Sequence, residues 1–108
     1  DIENPVETAI YQVPEVGSHN HWVEGDILYA GYYYGGIRVL DISGELLGDL
    51  YAQGREIAFF EGRDPNGKIP NETNVWGVIP YKGLIYFADH YNGLWAVKLV
   101  DDEPMGTN

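Results

Sequence analysis

The sequence predicts an all-β fold of antiparallel, β-propeller-like blades, about two four-stranded modules of an incomplete propeller. Three observations lead there. Aromatic and β-branched runs are broken by glycine, with nine Tyr, three Trp, three Phe and 14 Gly in 108 residues, the composition of short strands joined by tight turns. Two segments are alike at a long spacing, the pattern of arrays and propellers. The central strand of the first segment is apolar on both faces, as a sheet covered on both sides requires.

The two segments run from His19 to Ile42 and from Asn74 to Leu99. Tyr29 matches Tyr86, Gly36 matches Gly93 and Ile42 matches Leu99, all at an offset of 57. Trp22 matches Trp76 at 54, which implies a small insertion near Pro80. The opening Asp1–Val6 is similar to Asp41–Leu46, so a third module is expected to end at the start of the chain. The expected organisation is therefore the end of a preceding blade and a linker over 1–18, a blade over 19–73, a last blade over 74–100, and an acidic flexible tail over 101–108.

Strands are expected over 20–24, 27–34, 37–42, 46–52, 75–79, 84–88 and 93–99, with a further one near Thr8–Val13. In Ile27–Tyr34 one face carries Ile27, Tyr29, Gly31 and Tyr33, and the other Leu28, Ala30, Tyr32 and Tyr34. A lone sheet with one wet face would alternate apolar with polar residues. Gly35-Gly36 and Asn92-Gly93 supply the positive φ of hairpin turns. Asp64–Gly67 reads as a turn, Pro70 and Pro80 limit pairing at strand starts, and Gly54–Glu61 reads as strand or loop.

Charge narrows the partners. Seventeen acids against six bases give a net charge of −11. With no basic stripe, phosphate backbones and anionic lipid surfaces are poor partners. The absence of Cys excludes disulfides, thiolate metal sites and Cys nucleophiles. The apolar stretch from Val75 to Val100 is interrupted by Lys82, Asp89, His90 and Lys98, so no transmembrane segment is expected. The chain opens at Asp1 with neither an initiator Met nor a leader, and is expected to be a fragment or a processed product.

Ile37–Ser43 (IRVLDIS), the opening DIENPVE, His19-Asn20 ahead of a strand and Asn92–Leu99 (NGLWAVKL) carry a resemblance. The chain resembles the C-terminal blades of LVIVD-repeat β-propeller proteins from Asp1 to about Leu99. That resemblance implies a propeller of several blades, of which this chain supplies two and a fraction. It also implies a bacterial protein in the periplasm, at the cell surface or secreted, from a family largely without an assigned reaction.

Few residues are placed to carry chemistry. His19 and His21 share a face if their segment is extended, and could offer two imidazoles to a divalent metal, with His90, Asp89 or Asp26 completing the set. The plainer reading is that His19-Asn20 ties down a turn through backbone hydrogen bonds. Asp89 and His90 sit in a turn, and neither Ser18 nor Ser43 has a nucleophile's setting. Trp22, Trp76, Tyr34 and Tyr91 could form an aromatic binding surface or serve as packing between blades. Tyr34 and Tyr91 occupy equivalent turns.

The expected function is a non-catalytic structural or protein-interaction module, an accessory or docking part of a larger assembly, with no cofactor. Its partners are further blades of the same polypeptide or other chains. A metal-dependent enzyme, and a carbohydrate or small-ligand binder, are the alternatives.

Overall fold

The computed structural model describes residues 1–100, and the expected acidic tail 101–108 lies outside the described residues. Among the described residues, nine strands follow in order: β1 (Ala9–Ile10), β2 (Asn20–Glu24), β3 (Ile27–Tyr32), β4 (Gly36–Asp41), β5 (Gly48–Asp49), β6 (Glu56–Phe60), β7 (Val75–Tyr81), β8 (Leu84–Asp89) and β9 (Gly93–Val97). A single 3-10 turn, Tyr33–Gly35, joins β3 to β4. The chain is mostly β, as expected, and its two larger sheets are antiparallel: a four-stranded sheet β2-β3-β4-β6 and a three-stranded sheet β7-β8-β9. No helix among the described residues is long and apolar enough to cross a membrane.

Several expectations change. β1 and β5 pair in parallel, so the chain is not wholly antiparallel. A parallel pair needs a long crossover, and here the whole β2–β4 meander is that crossover. The strand expected over 46–52 shrinks to Gly48–Asp49 because the Asp49 carboxylate caps a turn, accepting the Ala52 N–H at 3.0 Å. The fourth strand of the four-stranded sheet comes instead from Glu56–Phe60. The strand expected to reach Tyr34 stops at Tyr32, where the 3-10 turn begins. The strand expected from Thr8 to Val13 is two residues long, and the one expected over 93–99 ends at Val97. Pro80 lies inside β7 rather than at its start, which an edge strand tolerates because one side of it needs no N–H donor.

Register corrects the tryptophan match. Tyr29 faces Trp22 across β2–β3, and Tyr86 faces Ile79 across β7–β8. At the offset of 57, Ile79 and not Trp76 takes the cross-strand place that Trp22 has. No insertion falls near Pro80; the pairing breaks instead at a bulge between Val75 and Val78, which contains Trp76.

The two larger sheets pack face to face. Ile27, Tyr29, Ile37, Val39 and Ala58 meet Val75, Val78, Ile85, Phe87, Trp95 and Val97. Each fully buried member, such as Ile37 or Phe87, contributes about 1.5–3 kcal/mol by leaving water. The other face of β3 is covered too, with Ala30 and Tyr32 beneath Tyr11, Val13 and Val16 of the N-terminal segment. The two-sided apolar pattern of β3 thus has its two covers.

Sheet spacing is set at Gly31, where a methyl group would lie 2.5 Å from the Trp76 carbonyl oxygen. That neighbour is backbone and cannot rotate away. Gly31→Ala should therefore force the sheets apart and cost about 1–3 kcal/mol, read as a lowered urea midpoint with an unchanged circular dichroism spectrum.

Candidate functional site

Chemistry-bearing side chains gather at one end of the two sheets. β2 and β7 begin there, and the β3–β4 and β8–β9 turns lie beside them. Trp76, thrown out of regular pairing by the bulge, is the centre of the group. His90 stacks on its indole with ring centroids 3.9 Å apart and planes 14° from parallel. His19 lies 4.7 Å from the same indole and its Nδ1 is 2.8 Å from the Tyr33 hydroxyl. The indole N–H donates to Asn74 Oδ1 at 2.9 Å. Four separate stretches of chain are thereby joined by rings.

Buried Asp89 holds the turn that presents His90 and Tyr91. Its carboxylate accepts from Thr73 Oγ1 at 2.5 Å and from the backbone N–H groups of Asn74, Tyr91 and Asn92 at 3.1, 2.9 and 3.2 Å. The Asn92 amide donates to the same carboxylate and to the carbonyls of Gly62 and Glu72, pinning the 61–74 connection to the turn. This is a charged acceptor ringed by fixed donors, the arrangement that makes such bonds strong.

The β3–β4 turn has its own anchor. Arg38, nearly buried, donates from Nε to the Gly35 carbonyl at 2.9 Å. Its guanidinium pairs with Glu56 at 3.2 Å and Glu61 at 3.5 Å and sits 4.6 Å from the Phe59 ring centroid. Tyr11 donates its hydroxyl to Glu56 at 2.5 Å. Burial, with the Glu56 carboxylate beside it, pushes the Tyr11 phenol well above its ordinary value.

The sequence-derived candidates scatter. Tyr34 and Tyr91 are brought together, lining an open hollow with Ile69 and Glu72. The Tyr91 phenol beside it pushes the Tyr34 phenol up from its ordinary value. Trp76 and His90 stack, as described, whereas Trp22 is not among the stacked rings and lies half-exposed on β2.

His19 and His21 turn to opposite sides. His19 precedes β2, so strand alternation does not reach it, and its ring meets Trp76 of the three-stranded sheet. His21 faces Ala30, on the side covered by the N-terminal segment. Asp26 is beyond the far end of β2, about 16 Å from His21 at 3.3 Å per residue. Asp89 spends its oxygens on hydrogen bonds. Among the described residues, no three His, Asp or Glu side chains are grouped to hold a metal ion.

Sequence reasoning missed Arg38, Tyr11, Glu56, Thr73 and Asn92. One signal was present for Arg38: a base within an apolar strand, in a chain with only six. The partners of the other four are set by long-range folding.

Two outcomes follow from these anchors. Asp89→Asn removes the charge and turns one oxygen into a donor facing donors, so it should cost about 1.5–3 kcal/mol in denaturant unfolding. Tyr11 ionises less readily folded than unfolded; the stability this supplies is complete below pH 10 and is lost as pH rises towards the folded value. Stability should accordingly fall above pH 10, and Tyr11→Phe should flatten that alkaline decline.

Comparison with protein-family models, curated protein sequences and solved structures gives no match for this chain.

Proposed function

We propose that the chain is a non-catalytic interaction module, two stacked blade-like sheets of a larger propeller-like array, that docks further protein through its last sheet. One observation carries this reading. Among the described residues, the face of β7–β9 turned away from the four-stranded sheet is apolar and uncovered, with Ile79 47% and Leu94 77% exposed, and Ala88 and Ala96 also exposed.

Register gives that face its meaning. Ile79, Tyr86, Leu94 and Ala96 are the counterparts, 57 residues on, of Trp22, Tyr29, Ile37 and Val39. Of these, Tyr29, Ile37 and Val39 pack against the next sheet. The uncovered face is thus what a further sheet would cover if stacking continued in the same direction. A patch of this kind on an otherwise charged chain is the usual mark of an association surface. The LVIVD-repeat resemblance supports the propeller form of the proposal and, with it, an exported or cell-surface setting.

A second reading, a small-ligand or carbohydrate binder, is favoured by the hollow between Tyr34 and Tyr91, since paired phenol rings beside a carboxylate suit a sugar. It does not account for the bare sheet face.

The test is sedimentation and melting of the 108-residue chain beside Ile79→Lys/Leu94→Lys. The expected result is concentration-dependent association and a broad melt for the parent chain, and a monomer for the variant. A monodisperse parent monomer with a sharp, cooperative melt would overturn the proposal.

A further inference from the structure

We propose that the free edge of β9, with the apolar groove beside it, receives an extended strand that is apolar at alternate positions and flanked by acids. The inference rests on reading the chain as an interaction module, but it concerns an edge and not the bare face.

The four-stranded sheet supplies the template. There β4 is paired on its outer side by antiparallel β6, with Ile37 opposite Phe60 and Val39 opposite Ala58. By register, β9 is the counterpart of β4, since Gly93 stands to Asp89 in its hairpin as Gly36 stands to Tyr32. Among the described residues β9 pairs only with β8. Every second residue of β9 therefore points its N–H and C=O outward, a ready template for another strand.

A groove of about 190 Å³ lies against that edge, between β9 and β6. Ile37, Val39, Ala58, Phe60, Ile85 and Val97 line it. Phe60 is still 36% exposed although it meets Phe87 and Trp95. A strand added to β9 would lay its inward side chains in this groove, where backbone bonds supply affinity and alternate side chains supply selectivity.

Charge fixes the rest of the occupant's chemistry. Among the described residues, Lys98 is the one charged residue lining the groove. β6 itself, flanked by Glu56 and Glu61 around Ile57–Phe60, has the required pattern, and its Glu56 finds a base in Arg38. An acid at the end of the incoming strand would meet Lys98 in the same way.

The probe is a fluorescent peptide of residues 55–61 (REIAFFE), titrated into the whole 108-residue chain and followed by anisotropy and by amide exchange. The expected result is saturable binding that slows exchange in Gly93–Val97 and not along β7. Ala58→Arg, which fills the groove, should weaken binding at least tenfold, and the milder Ala58→Leu should weaken it if Ala58→Arg does not fold. Ile79→Lys, on the outer face, should bind as the parent does. Absence of binding, protection along β7, or groove variants that fold and bind unchanged would overturn the proposal. Loss of binding in Ile79→Lys alone would place the peptide on the outer face, which counts against the edge and for the docking reading.

Discussion

The close approach of two backbones, β3 at Gly31 and β7 at the Trp76 carbonyl, is the constraint on which the rest of the molecule depends. Interiors are packed as densely as organic crystals, so a gap of even one methylene is felt. Contact at this point lets Val75 and Val78 reach Ile37 and Val39. It also fixes where the β7 bulge falls, and so where Trp76 emerges between His19 and His90. The ring cluster is a by-product of how tightly the sheets meet.

Two ionic anchors then hold the loops that this packing leaves free, and they work differently. Asp89, with no ion-pair partner among the described residues, is stabilised by hydrogen-bond donors, some from its own turn and others from Thr73 and Asn74. Arg38 is balanced by two carboxylates from β6 and the residue just after it. Removing a charge from water costs several kcal/mol unless its partners are well placed. Arg38 therefore makes the position of β6 conditional on correct pairing: a slipped register would leave a guanidinium buried against apolar side chains. An apolar residue at 38 would allow more ways of adding that strand.

Much of the architecture was legible in the residues because it is local. The hairpins β2–β3–β4 and β7–β8–β9 show in glycine turns and in alternating side chains, and both β3 faces were readable as covered. What was not legible depends on distance along the chain. Residues 46–52 carry three leucines and read as a strand, yet the Asp49 turn within them decides otherwise. Trp22 and Trp76 look equivalent by identity, but equivalence is set by register, and a bulge is invisible to pattern matching. Of the site, Tyr34 and Tyr91 were found because they occupy matching turns, and the structure brings them together. His19 and His21 were grouped by an alternation that holds only inside a strand. Arg38 and Asp89 act in part through partners 15 or more residues away, which no local pattern reveals.

The parallel pair β1–β5 has a consequence for the order in which the molecule assembles. Each meander closes loops of a few residues, whereas Ala9 reaches Gly48 only after the chain between them is in place. Closing so long a loop carries a larger entropic cost than a hairpin does, and here it is rewarded by a ladder only two residues long. The N-terminal layer is accordingly the last part to dock and the first to open, a low-stability unit lying over a firmer one. Because Tyr11 reaches Glu56 from that layer, each opening also uncovers the carboxylate that balances Arg38. Fraying at one terminus is thereby transmitted to β6, an edge strand of the four-stranded sheet.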